Sequence, residues 1–338
     1  MTLAGRLAAH PPARVLLVQT AYLGDTVFTS ALFSAVARRF SSAAIDACVA
    51  PRGLDVALAF PGVGHVHVYD KRGRDRGLSG LRRIAARLAT RQYQLAVLPH
   101  RSMRTALLAR LARIPEVVGF AGGPASLLYT ARVLTREKAF LRREADLAVA
   151  LRAAPGAMRL VPRAELLAAA RSALGRSGQE RFAAICLGSE WPTKIWPARH
   201  VADLVRRLAS NGFRPVLLGG PREHELAREV GAAGDCIDTT GNSVGEALAI
   251  LSMCALAVGG DTGLVHAARA LGIPTVAVFG PTPSDVHLFG PRERAVSLGL
   301  SCSPCTVHGS QRCPLGHHRC LDDLDAERVA SVCREVLA

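Results

Sequence analysis

Aromatic residues and long apolar runs are scarce in this chain of 338 residues. Phe, Trp and Tyr make up 5% of the chain, although 49% of its residues are hydrophobic. Such a composition argues against binding of single-stranded nucleic acid, which depends on stacking of bases on aromatic rings. No apolar run reaches the roughly 18 residues of a membrane-spanning helix, and the N-terminus lacks the pattern of a signal peptide. These absences predict a cytoplasmic protein.

Acidic residues are also few, with 27 Asp and Glu against 42 Lys and Arg, a net charge of +15. The imbalance lies entirely in the first half. Residues 1–160 contain 24 basic and 9 acidic residues, whereas residues 161–338 contain 18 of each. The first half is therefore expected to face an anionic partner: nucleic acid, an anionic membrane leaflet, or a phosphorylated or carboxylated substrate.

The order of apolar runs predicts an α/β protein of two domains, residues 1–160 and 161–338. Short strands and amphipathic helices alternate from residue 14 to 119 and again from 181, which indicates parallel sheets covered by helices. The Arg- and Ala-rich stretch 122–162 is interpreted as a helical crossing between the domains. Strands are predicted at 14–19, 43–49, 65–69, 95–98, 117–119, 183–187, 215–218, 255–258 and 275–279. Neither half has GxGxxG after its first strand or a Walker P-loop, so the corresponding dinucleotide and ATP sites are not expected.

The stretch 255–266 predicts a strand, a tight turn and the start of a helix. Apolar residues 255–258 end at two glycines, and helix-forming residues follow. Backbone N–H groups and the positive end of the helix dipole would then be available to an anion. Asp261, Thr262 and His266 add side chains suited to a hydroxyl or a phosphate. The alternative is an ordinary turn in which Thr262 caps the helix.

Three further residues follow predicted strands, at the edge where open α/β sheets bind ligands. Asp25 follows the first strand, and its carboxylate suits a general base; the alternative is a helix N-cap. Lys194 lies in a loop containing both tryptophans and suits a diphosphate, unless it is merely a solvated lysine. Glu223 suits a ribose hydroxyl, or else the first turn of a helix.

Basic residues and cysteines form two other local groups. We expect the basic residues near two strand ends to contact an acceptor or a membrane. These acceptor cations are Lys71, Arg72, Arg101 and Arg104. Four of the nine cysteines crowd near the C-terminus in a spacing that indicates a metal more than disulfides in a cytoplasmic protein. This thiol cluster comprises Cys302, Cys305, Cys313 and Cys320. Reduced, packed thiols are the favoured interpretation, and a structural zinc ion is the alternative.

Three motifs in order resemble glycosyltransferase family 9, the ADP-heptose:lipopolysaccharide heptosyltransferases. They are Leu23-Gly24-Asp25, Trp191-Pro192-Thr193-Lys194-Ile195-Trp196-Pro197 and Gly260-Asp261-Thr262-Gly263-Leu264-Val265-His266. The closing segment, with Cys313-Pro314-Leu315-Gly316-His317, is similar to the heptosyltransferase II branch. The resemblance covers nearly the whole chain.

This resemblance implies a GT-B architecture of two Rossmann-like domains with a cleft between them. It also implies an inverting transfer that needs no metal cofactor, from ADP-heptose to the anionic lipid A–Kdo acceptor at the inner face of the cytoplasmic membrane. The N-terminal domain would bind the acceptor, with Asp25 as the base. The C-terminal domain would bind the donor, with Lys194 on its diphosphate. The other donor-binding residues implied are Ser189, Thr193, Glu223, Asp261, Thr262, Gly263 and His266.

The residues leave several functions open. The chain is either a heptosyltransferase adding the first or second heptose, or a family 9 enzyme for another sugar or acceptor. It is otherwise a non-catalytic protein that binds a nucleotide sugar or an anionic lipid. A nucleic-acid partner has only the basic first half in its favour and is not expected.

Overall fold

The computed structural model describes residues 2–175, 180–232 and 234–338. The chain divides into two compact units, Met1–Val161 and Pro162–Ala338. In the described ranges, no helix is both long and apolar enough to cross a membrane.

The first unit is built on a six-stranded parallel sheet in the order β3-β2-β1-β4-β5-β6. Its strands are β1 Arg14–Gln19, β2 Ala44–Val49, β3 Val66–Val68, β4 Leu95–Leu98, β5 Glu116–Phe120 and β6 Ala131–Val133. Its helices are α1 Leu3–Ala9, α2 Leu23–Arg39, α3 Leu54–Leu58, α4 Gly77–Ala89, α5 Met103–Leu111 and α6 Phe140–Ala150. Val15 to Val18 are fully buried, as expected for a strand covered on both faces.

The second unit has a six-stranded parallel sheet in the order β12-β11-β10-β7-β8-β9. Its strands are β7 Arg181–Cys186, β8 Phe213–Leu218, β9 Ile237–Asp238, β10 Leu256–Gly260, β11 Thr275–Val278 and β12 Glu293–Val296. Its helices are α7 Ala164–Leu174, α8 Ala198–Ser210, α9 His224–Gly231, α10 Val244–Leu251, α11 Gly263–Ala270, α12 Arg319–Asp322 and α13 Ala326–Leu337. Helix α8 buries Val201, Leu204, Val205 and Leu208 at helical spacing on one face.

Both sheets have the same Rossmann strand order. In each, the first strand of the unit lies beside its fourth, so β1 pairs with β4 and β7 pairs with β10. The connections leave these two strands in opposite directions along the sheet, and ligands bind in the crevice that opens at their carboxyl ends. The loops after β7 and β10 therefore meet at one place. The predicted α/β class, with two Rossmann-like sheets, is confirmed.

The prediction for residues 122–162 is wrong in part. Only Phe140–Ala150 is α-helical there; Pro124–Leu128 is a short 3-10 helix and Ala131–Val133 is the edge strand β6. The pattern also missed β9 and β12. Edge strands are covered by fewer neighbours, so they are short and partly exposed and do not show a continuous apolar run.

Candidate active site

The turn after β10 leads directly into α11. Thr262 is the residue before the helix, and its side chain makes no capping hydrogen bond. Thr262 therefore occupies the N-cap position that the alternative predicted, but its hydroxyl does not cap the helix. Position 260 has room only for glycine, because a Cβ there would lie 2.7 Å from the Lys194 carbonyl oxygen. This contact brings the Lys194 loop against the start of α11.

Lys194 and Asp261 form a close ion pair. The distance from Lys194 Nζ to Asp261 Oδ2 is 2.6 Å, and their side chains are 13% and 11% exposed. The two residues follow β7 and β10, which are neighbours in the sheet. Interpreting Lys194 as a solvated lysine is wrong. Thr282, after β11, donates a second hydrogen bond to the same carboxylate oxygen at 2.9 Å.

His266, one turn into α11, bonds to the other oxygen of Asp261. Its Nε2 lies 3.1 Å from Asp261 Oδ1, while Arg269 Nη1 lies 3.2 Å from its Nδ1. Arginine only donates, so Nδ1 accepts and the ring proton is on Nε2, pointing at Asp261. Arg269 is held in turn by Glu293 at 2.8 Å. A continuous chain of contacts therefore fixes the carboxylate that holds Lys194.

Burial and charge act in opposite directions on this group. Burial disfavours ionisation of Asp261, but the His266 hydrogen bond and the Lys194 charge outweigh it and hold its pKa well below the usual range. Burial lowers the pKa of His266 below its ordinary value although Asp261 favours its charged form. The pKa of His287 falls to about 3, mainly because of burial and secondly because of the nearby His266. Asp261 is thus an anion beside two neutral imidazoles at neutral pH.

Sequence reasoning missed Arg269, Thr282 and His287. His287 stacks on His266 with ring centroids 4.6 Å apart. Thr282 had a usable signal, because it follows the strand beside β10. The signal for Arg269 was weaker. It is a charged residue on the buried face of a short helix, and a buried charge requires a partner.

The remaining predicted donor residues lie on the loops after β7 and β8. Ser189 accepts a hydrogen bond from the Trp191 amide at 3.3 Å. Glu223 accepts one from the Gly220 amide at 2.7 Å, which is a capping role, and its carboxylate packs against Gly188 at the end of β7. Both residues therefore belong to the same edge as Lys194.

The C-terminal loop packs directly on the Lys194 loop. The Thr193 hydroxyl lies 2.8 Å from the Ser310 carbonyl oxygen, and His318 Nε2 lies 2.8 Å from the Thr193 carbonyl oxygen. Gly309 has φ +101°, and a Cβ there would lie 2.6 Å from Trp191 Cβ and 2.9 Å from Lys194 Cδ. Residues 309–318 thus act as a support for Lys194.

We expect Gly309→Ala to weaken binding of ADP, the nucleotide that the sequence resemblance implies, several-fold, because the methyl group would displace Trp191 and Lys194. The positive φ alone costs about 1–2 kcal/mol for a residue with a side chain. Gly299→Ala is the matched control, since Gly299 has φ +64° with nothing within 4 Å of an added Cβ. Calorimetric ADP titration of both variants measures the difference. Equal affinities would show that the loop does not position Lys194.

Asp25 lies in the first turn of α2, after β1. Tyr22 is the N-cap of α2, so the predicted alternative of Asp25 as the N-cap is wrong. Asp25 is the third residue of the helix, and its Oδ2 accepts a hydrogen bond from the Tyr22 amide at 3.0 Å. This hydrogen bond fixes the orientation of the carboxylate at the start of α2. Behind it, α6 packs on α2 with Phe140 stacked on Phe28 at 5.1 Å.

Glu144 of α6 is a buried carboxyl group near Asp25. Burial, opposed by a Thr29 hydrogen bond and reinforced by the Asp25 charge, raises its pKa to about 8. Thr29 Oγ1 lies 2.9 Å from both Glu144 Oε1 and the Asp25 carbonyl oxygen. Thr29 has one proton to share between these two acceptors, so its hydrogen bond offsets only part of the cost of burying an ionised Glu144. Glu144 is therefore neutral below about pH 8.

We expect Glu144→Gln to reduce the loss of stability with rising pH. A raised carboxyl pKa means that the folded chain keeps a proton which the unfolded chain releases above pH about 4.3. The free energy of unfolding therefore falls by up to about 1.4 kcal/mol per pH unit between about pH 4.3 and about pH 8. Unfolding midpoints measured from pH 5 to 8.5 test it, with exposed Glu137→Gln as control. An unchanged slope in Glu144→Gln would contradict the assignment.

Two of the acceptor cations are linked through the backbone of Lys71. Lys71 Nζ donates to the Thr20 carbonyl oxygen at 2.8 Å, and Arg104 Nη1 donates to the Lys71 carbonyl oxygen at 3.2 Å. Burial and the charges of Arg72, Arg104 and Arg52 lower the Lys71 pKa. The three side chains that lower the Lys71 pKa by their charge are arginines, and this concentration of positive charge favours an anion at this edge.

Arg101 has other contacts. Its Nε donates to the Ala121 carbonyl oxygen at 3.1 Å, and its guanidinium lies over the Phe120 ring at 5.6 Å. Arg52 was not predicted. It lies in a short 3-10 helix, Pro51–Gly53, after β2, and its position after a strand was the available signal.

Two Rossmann-type sheets, with a buried cation beside a helix start in one and a strand-end carboxylate in the other, define a glycosyltransferase of GT-B type. The family model "Glycosyltransferase family 9 (heptosyltransferase)" matches residues 81–315, and the chain belongs to this family. The predictions of family and of glycosyltransferase activity are confirmed.

Full-length relatives agree with this assignment. The chain is 28% identical to Lipopolysaccharide heptosyltransferase 2 of Salmonella typhimurium, over 96% of this chain and 99% of the relative. It superposes on a family 9 glycosyltransferase from Veillonella parvula with a TM-score of 0.86 and 20% identity, covering 96% and 97% of the two chains. For E. coli ADP-heptose lps heptosyltransferase II the TM-score is 0.78, with 24% identity and coverage of 96% and 98%. These structural matches support the fold.

Proposed function

We propose that this enzyme transfers L-glycero-D-manno-heptose from ADP-heptose to the Kdo/heptose inner core of lipopolysaccharide. The observation that carries the proposal is the Lys194–Asp261 pair at the uncapped start of α11. Its support from relatives is the full-length similarity to heptosyltransferase 2. Addition of the second heptose is the reaction proposed, because the resemblance is to that branch.

The second unit would bind the donor. The Lys194 ammonium and the backbone amides at the start of α11 would bind the diphosphate, with Ser189, Thr193, Thr262 and Gly263 around it. Glu223 would bind the ribose. Asp261 and His266 position Lys194 through the contacts described above. As the bond from the anomeric carbon to the diphosphate breaks, negative charge collects on ADP, where preorganised donors typically contribute a few kcal/mol each.

The first unit would bind the acceptor. Asp25 removes the proton from an acceptor hydroxyl. The oxygen of this hydroxyl attacks the anomeric carbon, and the configuration of that carbon is inverted. Lys71, Arg72, Arg101 and Arg104 would contact the phosphates and carboxylates of lipid A–Kdo. An anionic leaflet would attract the same basic surface, at about 1 kcal/mol for each nearby Lys or Arg. The enzyme would thus work on the cytoplasmic face of the inner membrane.

No metal cofactor is part of this mechanism. Ligand atoms of Asp261, His266 and His287 lie within 4.8 Å of one another, as a metal site would require. However, the Lys194 ammonium already neutralises the Asp261 carboxylate at 2.6 Å. A dication at that carboxylate would have to displace Lys194. We therefore assign the positive charge on the diphosphate to Lys194.

A screen of nucleotide sugars against Kdo-terminated and heptosyl-Kdo acceptors tests the proposal. Turnover of ADP-heptose with the heptosyl-Kdo acceptor is expected. Turnover with the Kdo-terminated acceptor alone would assign the first heptose instead, and another donor would assign another family 9 reaction. Binding of ADP-heptose without turnover on either acceptor would favour a non-catalytic binding protein.

A further inference from the structure

Tyr22 differs from the other three tyrosines of the chain in being exposed. Tyr22 is 38% exposed, whereas Tyr69, Tyr93 and Tyr129 are at most 5% exposed and belong to the core of the first unit. A single exposed apolar residue is common on a protein surface, so exposure alone assigns no role to Tyr22. Its neighbours are more informative.

Tyr22 lies beside the predicted base. It is the N-cap of α2, in extended backbone with φ −83° and ψ 170°, and its amide donates to Asp25 Oδ2 at 3.0 Å. Tyr22 and Asp25 therefore share one short turn at the carboxyl end of β1. An acceptor hydroxyl at the Asp25 carboxylate would bring its sugar next to the residue that bears this ring.

Arg52 lies over the Tyr22 ring, with its Cζ 5.5 Å from the ring centroid. This distance is within the range of a cation–π contact. Arg52 follows β2, which pairs with β1 along its whole length, so the two loops lie side by side at the same edge. The N–H groups of a guanidinium point outward in its own plane, so stacking on a ring is compatible with binding a carboxylate.

A third loop reaches the same turn. Lys71 follows β3, the strand beside β2, and its Nζ donates to the carbonyl oxygen of Thr20 at 2.8 Å. Thr20 is two residues before Tyr22. The loops after three neighbouring strands thus bring an exposed aromatic ring, a guanidinium and an ammonium to the turn that contains Asp25.

This combination suits a particular class of ligand. The face of an aromatic ring is electronegative and apolar, and the C–H groups of a sugar ring pack well against it. A carboxylate binds best to a guanidinium, because the two groups form parallel charge-assisted hydrogen bonds. A free phosphate would use the cations but not the ring, whereas an acidic saccharide would use both.

We propose that Tyr22 and Arg52 form a subsite for an acidic acceptor saccharide. Tyr22 packs against the sugar whose hydroxyl is attacked, and Arg52 binds a carboxylate of the same acceptor. The proposal rests on the proposed function, because it takes Asp25 as the base and an anionic saccharide as the acceptor. Both residues position the acceptor, and neither takes part in proton transfer.

Calorimetric titration of the full-length enzyme, saturated with ADP, with the heptosyl-Kdo acceptor tests the Tyr22 contact. Tyr22→Ala should weaken acceptor binding about fivefold, the loss expected for an aromatic packing contact. It keeps the backbone amide that bonds to Asp25. Tyr22→Phe keeps the ring and should bind like the wild type. An unchanged affinity in folded Tyr22→Ala would overturn the Tyr22 contact.

The same titration with a second acceptor, whose Kdo carboxyl groups are reduced to alcohols, tests Arg52. Arg52→Ala should bind the natural acceptor roughly tenfold more weakly, the loss expected for hydrogen bonds to a charged group. It should bind the reduced acceptor as the wild type does, because the carboxylate is then absent. Arg39→Ala is the matched control, since Arg39 lies over the Phe40 ring at 4.9 Å at the far end of α2.

The comparison of the two acceptors on the wild type remains valid if a variant fails to fold. Equal wild-type affinity for the natural and the reduced acceptor would overturn the carboxylate contact, as would an equal loss of both in Arg52→Ala. Wild-type binding too weak to detect would overturn the subsite. These titrations need no turnover, so a wild type that binds the acceptor without transferring heptose would contradict the proposed function and leave the subsite supported.

Discussion

Replacing Lys194 with alanine is expected to lower kcat/KM for heptosyl transfer by about 10²–10³-fold, the loss typical of a preorganised donor to a developing anion. Lys194 is a cation at the start of α11, 2.6 Å from Asp261. Its charge matters most when the diphosphate leaves, so kcat should fall together with the affinity for ADP. Steady-state kinetics and ADP titration measure both effects.

The structural consequence of Lys194→Ala needs its own control. Removing one partner of a largely buried ion pair leaves Asp261 less well compensated, and this lowers stability. Lys194→Ala/Asp261→Asn removes both charges and should recover stability without recovering activity. Exposed Lys138→Ala should behave as the wild type. A Lys194→Ala enzyme within twofold of wild-type kcat/KM would contradict the assigned role.

Asp25→Asn is expected to lower kcat by about 10²–10⁴-fold, the usual contribution of a general base. The asparagine side-chain oxygen can still accept the Tyr22 hydrogen bond, so α2 should remain capped and the fold intact. The affinity for ADP should not change, because Lys194 and the start of α11 are in the other unit. Kinetics with saturating donor, with ADP titration alongside, separate these expectations.

Asp55→Asn is the matched control for Asp25, since Asp55 is also an acidic residue in the first turn of a helix in the same unit. It should retain transfer activity. Substantial activity in Asp25→Asn would assign the base elsewhere. Equal losses in the two variants would indicate that the effect is structural.

Some residues of the candidate site could be predicted from the sequence, and others could not. Asp25, Lys194 and Asp261 each follow an apolar run, and strand ends are where ligands bind in parallel sheets. Local pattern was sufficient for these residues because each motif is contiguous. Arg269, His287 and Thr282 were missed because their roles arise from contacts between segments that are separate in the chain.

The sequence by itself determined the α/β class, most of the central strands and the loops that contain the candidate residues. Hydrophobic periodicity and turn residues are local features of the sequence, so they can be recognised without knowing which distant residues are in contact. Only the tertiary structure decided that β7 lies beside β10, which turns Lys194 from a loop residue into the partner of Asp261. It also decided that residues 309–318 pack on the Lys194 loop. Strand order and loop packing depend on contacts between distant residues, and a local pattern does not contain them.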